Sequence, residues 1–316
     1  MMMFDDIAIG DALPTFARET DFPSWNRYAA VNDEFIDVHM SAEAAQAAGQ
    51  PDVFGMGNLR VAYAHAMLHD WLAGRGDIAQ FACQFRQLNF RGDLLTVHAT
   101  VTGKGRVEGH MLVDLAIGVT NQRGEETMPG TAQLVLFGDH AAMPAAPAKP
   151  TVAVREPGVH LDAETISWLG RPLEPLSSYP IDANDIRRWA QTAYYPALAP
   201  RELTELADAA AGPWHALVAL RDFNPFAWNH AYRPDIYPWM RGMGTEPGRR
   251  GLNGGQKSWY FAPMRVGDVI TTNVTLIDAY EKEGRLGTML FLIDEARWTN
   301  QRDQLVRIGQ RTSIYY

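Results

Sequence analysis

The sequence is poor in several things that would direct a chain outside the cell or onto charged partners. It has one cysteine, Cys83, so an intramolecular disulfide is excluded and a reducing compartment is expected. It lacks a basic excess: 28 Lys and Arg stand against 37 Asp and Glu, a net charge of −9. That balance disfavours nucleic acid and anionic membrane surfaces as partners. It lacks an apolar run of membrane-spanning length. The first residues, MMMFDDIAIGDALP, carry acids where a secretory signal needs basic residues and a long apolar core. A cytoplasmic protein without membrane attachment is expected. Also missing are a GxSxG elbow, a phosphate-binding loop, a dinucleotide fingerprint and an HExxH helix.

What is present is an ordinary globular composition, 47% hydrophobic over 316 residues, long enough for two domains. Residues 139–165 are rich in Ala and Pro without apolar period and read as a linker. The parts on either side echo each other in four places, always in the same order. IGDALP (9–14) matches LGRPLEP (169–175), and NRYAA (26–30) matches RRWAQ (187–191). FRQLNFRGDLLTVHATV (85–101) matches FAPMRVGDVITTNVTL (261–276), and TNQRG (120–124) matches TNQRD (299–303). The expected division is 1–138, a linker over 139–165, and 166–316.

Each half is expected to contain a short helix, a longer apolar helix and several strands. Leu59, Ala62, Tyr63, Ala66 and Met67 have helical spacing, and Val61, Leu68, Trp71 and Leu72 make the other face apolar, which implies a buried helix. Phe81, Cys83 and Phe85 alternate with Ala82, Gln84 and Arg86, as do Val97, Ala99 and Val101 with their neighbours, which is strand period. The Gly92-Asp93 and Gly267-Asp268 pairs precede β-rich runs as turns. The class is α+β, antiparallel sheet with helices on one face.

The stretch NDEFIDVHMSAEAAQAAGQPDVFGMGNL (32–59) gathers acids, a histidine and a glycine-led helix. On the residues alone, Asp33 and Glu34 are compatible with helix-capping or loop acids, His39 with a capping or surface residue, and Gly55 and Gly57 with turn punctuation. The stretch resembles the MaoC-like (R)-specific enoyl-CoA hydratases. Their acid-x4-His pair corresponds to Glu34 and His39, and their glycine at the start of the central helix to Gly57. Glu34 stands where that family has Asp, Ile36 and Asp37 where it has Asn and Pro, and Met56 where it has His. The second half resembles the fatty-acid-synthase-type dehydratase domain through LNGGQKSWYFAPMRVGDVITT and TNQRDQLVRIGQRTSIYY, without an acid-x4-His pair of its own.

The resemblance implies a double hot-dog, two antiparallel sheets each wrapped around a central helix. It implies hydration of an α,β-unsaturated acyl thioester, or the reverse, with no metal or redox cofactor. The carrier would be coenzyme A or acyl carrier protein, and the hot-dog halves would favour a homodimer or heteromer. Glu34 would be the acid/base, with Asp33 as the alternative, His39 its partner on one water, and Gly57 the oxyanion donor. Gly55 and Asn58 would border the thioester. Arg249 and Arg250, in the glycine-rich stretch 238–255, would reach carrier phosphates, unless that stretch is a solvated loop. The aromatics of 221–230 would shape room for a bulky acyl group or simply fill a core. A non-catalytic acyl-CoA-binding subunit and a hot-dog thioesterase are the competing expectations. His65, His69 and Cys83 read as packing residues.

Overall fold

The architecture is described from a computed structural model, which defines residues 4–229, 237–241, 244 and 246–316. The helices are α1 (Phe22–Asn32), α2 (Asp37–Met40), α3 (Ala42–Ala47), α4 (Gly57–Leu72), α5 (Ala163–Ser167), α6 (Ala183–Tyr194) and α7 (Leu206–Ala211). The first-half strands are β1 (Phe16–Glu19), β2 (Gly76–Cys83), β3 (Leu94–Val107), β4 (His110–Thr120) and β5 (Glu126–Leu136). Those of the second half are β6 (Leu176–Ser177), β7 (Gly251–Tyr260), β8 (Ile270–Gly284), β9 (Gly287–Asn300) and β10 (Leu305–Tyr315).

The two sheets are fused into one antiparallel sheet of ten strands, ordered β1-β3-β4-β5-β2-β7-β10-β9-β8-β6. The second five repeat the first five in mirrored order, so the halves meet through β2 and β7, Gln80 opposite Trp259 and Cys83 opposite Gln256. Gly255, with φ of +132°, permits this junction, since a Cβ there would collide with the Cys83 carbonyl. Residues 251–255 are therefore strand, and the glycine-rich loop ends before them.

The sequence echoes are the same turns built twice. Gly10 N–H donates to Val101 O and Leu13 N–H to Ala99 O; in the second half Gly170 donates to Leu276 O and Leu173 to Val274 O. Asp93 accepts from the Phe90 amide, Gln122 and Arg123, and Asp268 from the Arg265 amide, Gln301 and Arg302. Tyr28 of NRYAA and Trp189 of RRWAQ pack on each other, ring centroids 5.7 Å apart, where α1 meets α6.

The buried helix expected over 57–72 is α4, and it sits in a core shared by both halves, with Trp189, Phe223, Phe226 and Trp298 in the same cluster. Its apolar faces accommodate two buried polar residues. Arg60 donates to the Gln87 and Thr127 carbonyls, and His65 is held between Val61 O and the Tyr260 hydroxyl. The second half departs from the expected repeat. Between α6 and β7 the described residues contain only the six-residue α7 and a short 3-10 turn, and no long apolar helix. Pro213 and Pro225 interrupt any helical period there. Leu217, Leu220, Phe223 and Phe226 on an irregular segment fill the space instead, Phe226 edge-on to Trp298 at 5.3 Å. Residues 137–162 contain no helix or strand and are tied to the second half by Arg155–Asp278 (2.7 Å) and by amides donating to Glu281.

Candidate active site

The way α1 ends determines where its acids go. Asp21 caps the start, accepting from the Ser24 amide, and Asp33 closes the end in the left-handed region (φ 53°, ψ 41°). The Glu34 amide donates back to Ala29 O at 3.0 Å, the 6→1 bond of a Schellman terminus. This turn separates the two candidate acids. Asp33 occupies the cap itself. Glu34 is partly buried and accepts from Asn32 Nδ2 through Oε2 at 2.7 Å. Burial pushes the Glu34 carboxyl up to about 7, against the opposing effect of the Asn32 hydrogen bond.

His39 lies on the single turn of α2 and is buried. Its Nδ1 is 2.8 Å from Phe54 O, and the Phe54 ring stands edge-on at 4.8 Å. A carbonyl only accepts, so Nδ1 carries the proton and Nε2 keeps its lone pair. Burial lowers the pKa of this imidazole and so favours the neutral ring, while the Phe54 bond acts in the opposite direction. No hydrogen bond or ion pair joins Glu34 to His39 among the described residues.

Phe54 bridges Phe90, and the Gly55 amide donates to Asn89 O at 2.9 Å, pinning the chain just before α4. Gly55 is buried, and a Cβ there would collide with Asn89 Nδ2 and the Trp25 indole nitrogen. Glycine is required here for close packing against these two side chains. Gly57 and Asn58 are half-buried in the first turn of α4, whose N-cap residue, Met56, supplies no side-chain acceptor. First-turn amides have no carbonyl to bond within their own helix. Asn58 Oδ1, Asn89 Oδ1 and Trp25 Nε1 are buried without a hydrogen-bond partner.

Arg249 and Arg250 are exposed at the start of β7. Arg249 donates to Arg241 O, and the Arg250 carbonyl accepts from the Tyr316 amide. Five residues of strand separate Arg250 from Gly255 at the junction, roughly 16 Å. Gly242, Met243 and Thr245 of the 238–255 stretch, and His230 of the 221–230 stretch, lie outside the described residues. His69 approaches the Tyr194 hydroxyl at 3.4 Å, and no group of three or more metal-ligating side chains occurs among the described residues. Cys83 is buried, which raises its thiol to about 12. Two surface clefts of about 300 and 380 Å³ are lined by other residues, one by Met143, Trp214 and Arg265, the other by Ile7, Leu13 and Trp71.

Sequence reasoning missed the residues that hold Glu34 and its neighbours. Asn32 is its hydrogen-bond donor, and Asn224 of the second half donates to Asn32 at 2.9 Å. Trp228 donates its indole N–H to Ala30 O and packs on Phe35 at 5.9 Å. The only signal for Asn224 and Trp228 was the polar-aromatic composition of 221–230.

Residues 167–308 match the model of the FAS1-like dehydratase domain region. No curated protein matches the chain. A putative MaoC domain protein dehydratase from Chloroflexus aurantiacus superposes with a TM-score of 0.69 at 12% identity, over 99% of this chain and 96% of that one. A conserved hypothetical protein of Mycobacterium tuberculosis with a double hot-dog fold superposes with a TM-score of 0.65 at 14% identity, over 99% and 98%. The chain therefore has the double hot-dog fold over its whole length. No helix among the described residues is long and apolar enough to cross a membrane.

Proposed function

We propose, from the premise that residues 167–308 match the model of the FAS1-like dehydratase domain region and that the chain folds as a double hot-dog, that this protein adds water to an α,β-unsaturated acyl thioester or removes it from the 3-hydroxyacyl product. The activity is that of an (R)-specific enoyl-CoA hydratase, with the acyl group carried on coenzyme A or acyl carrier protein. The reading rests on one observation above the rest: the turn that ends α1 carries Glu34 into a partly buried position where Asn32 donates to it, and the following turn holds His39 by its Nδ1 on Phe54 O, while burial pushes the Glu34 carboxyl up to about 7. A group that titrates near working pH exchanges protons in both directions.

In the hydration direction the water gives one O–H to the Glu34 carboxylate and the other to His39 Nε2. Its oxygen attacks the β-carbon as Glu34 takes the first proton. The electron pair of the double bond moves toward the thioester, and charge develops on its oxygen. The Gly57 amide, at the positive end of α4, stabilises that charge. Glu34 then delivers its proton to the α-carbon, so one water is added and the enzyme is unchanged. Asp33, held in the helix cap, is the weaker candidate for this role. Exposed Phe35 and Ile36 follow Glu34 in the chain, Trp228 packs on Phe35, and these apolar side chains suit an acyl chain. Arg249 and Arg250 offer charge to the carrier phosphates.

The test is incubation of the pure protein with an enoyl-CoA while following both the conjugated thioester absorbance and free thiol. Hydration removes the absorbance without releasing thiol. Thiol release would identify a thioesterase, and binding without either change a non-catalytic subunit. Glu34→Gln and His39→Ala should each lower hydration by at least about a hundredfold.

A further inference from the structure

A hydrogen-bond relay runs from the backbone of the second half to the candidate acid of the first. The Phe226 amide donates to Asn224 Oδ1 at 3.0 Å, Asn224 Nδ2 donates to Asn32 Oδ1 at 2.9 Å, and Asn32 Nδ2 donates to Glu34 Oε2 at 2.7 Å. The direction of each link is determined by the first. A backbone N–H only donates, so the oxygen of Asn224 must face it, and the amino end of Asn224 must face Asn32. Asn32 therefore presents its oxygen to Asn224 and its amino group to Glu34. Without Asn224, only the ionised carboxylate would select the amino end of the Asn32 amide; the protonated carboxyl can donate as well as accept and would let the amide turn.

We propose that Asn224 is a positioning residue: it orients the Asn32 amide so that a donor, and not an acceptor, meets the Glu34 carboxyl. The proposal rests on the reading of Glu34 as the acid/base, and it gives the second half a defined part in a site whose chemistry lies in the first. Asn224 is itself held in place. Phe223 and Phe226 on either side of it are buried, and Trp228 is bonded to Ala30 O on the same helix that carries Asn32. The other titratable and charged groups around Glu34 are Tyr28 of α1, whose ionisation Glu34 opposes, with Asp222 of the 217–229 segment and Arg307 of β10 behind Tyr28. Asp33 is next along the chain. None of these hydrogen-bonds Glu34 among the described residues, so the relay is its one fixed donor.

The relay is tested on the full chain by carbon NMR with labelled glutamate carboxyls, the Glu34 signal being assigned by its loss in Glu34→Gln. The wild-type midpoint should lie near 7. Asn32→Ala should raise it by about one pH unit, because the stabilising donor is gone. Asn224→Ala should raise it in the same direction, and Asn32→Ala/Asn224→Ala should match Asn32→Ala alone, since Asn224 acts only through Asn32. Asn224→Asp offers no donor and claims the Asn32 amino group for itself, so it should raise the midpoint at least as far as Asn32→Ala. An unchanged midpoint in both Asn224 variants overturns the proposal, as does additivity in the double variant. If Asn224→Ala fails to fold, Asn224→Ser, whose hydroxyl is too short to reach Asn32, carries the same expectation. The titration needs no turnover. Activity surviving in Glu34→Gln would therefore sink the acid role and leave the relay standing, and an unmoved midpoint in an active enzyme would do the reverse.

Discussion

Glu34 and Asp33 are adjacent acids with different fates, and the difference comes from one backbone turn. The left-handed residue takes the cap, and the next is carried into a desolvated position. Two outcomes belong to this scale. Hydration rate should rise with pH through about 7, since the carboxylate form takes the water proton. By microscopic reversibility the same carboxylate takes the α-proton in dehydration, so the rate in that direction should rise through the same pH window, which a pH–rate profile in each direction checks. Stability should respond with the opposite preference. The native Glu34 carboxyl holds its proton more tightly than the ordinary value of 4.5, so its contribution is complete below that pH and is lost as pH rises through about 7. Melting temperatures across that window should fall in the wild type relative to Glu34→Gln; parallel curves would mean that Glu34 is not desolvated.

At the scale of elements, the repeat is a set of turn clamps rather than a shared sequence. Asp93 and Asp268 each gather a backbone amide, a glutamine and an arginine between the first long strand and the last hairpin of their half. Asp93→Ala and Asp268→Ala should therefore cost similar amounts, about 2 kcal/mol each, in urea unfolding. A cost at only one site would mean that the halves have diverged in how they close. The TNQR and GD motifs made these clamps legible, because turn chemistry is local. The replacement of a second central helix by the 217–226 segment was not legible, because apolar residues fill a core from helix or from irregular chain alike.

Across the whole molecule the halves are joined by a sheet junction, a common core and a buried ion pair. Arg221 of the second half grips Asp77 of β2 through two bonds of 2.9 and 2.6 Å, with Trp214 donating to the same carboxylate. Both side chains of the pair are largely buried. Asp77→Ala leaves the arginine buried and unpaired and should destabilise the protein by about 3–5 kcal/mol, read from the urea midpoint. A loss under about 1 kcal/mol would show that the junction relies on β2–β7 pairing and the core alone.

The sequence by itself determined the antiparallel α+β architecture, the internal repeat, the buried helix over 57–72 and the segment that carries Glu34, His39 and Gly57. The first three follow from periodicity and turn residues, which act over a few positions along the chain, and the last was implied by the resemblance to the MaoC-like hydratases. Only the tertiary structure decided that the two sheets merge into one, that Gly55 packs, and that Asn224 reaches Asn32 from 192 residues away. Those outcomes depend on which surfaces meet, and no short-range pattern encodes a partner brought in by the folding of the other half.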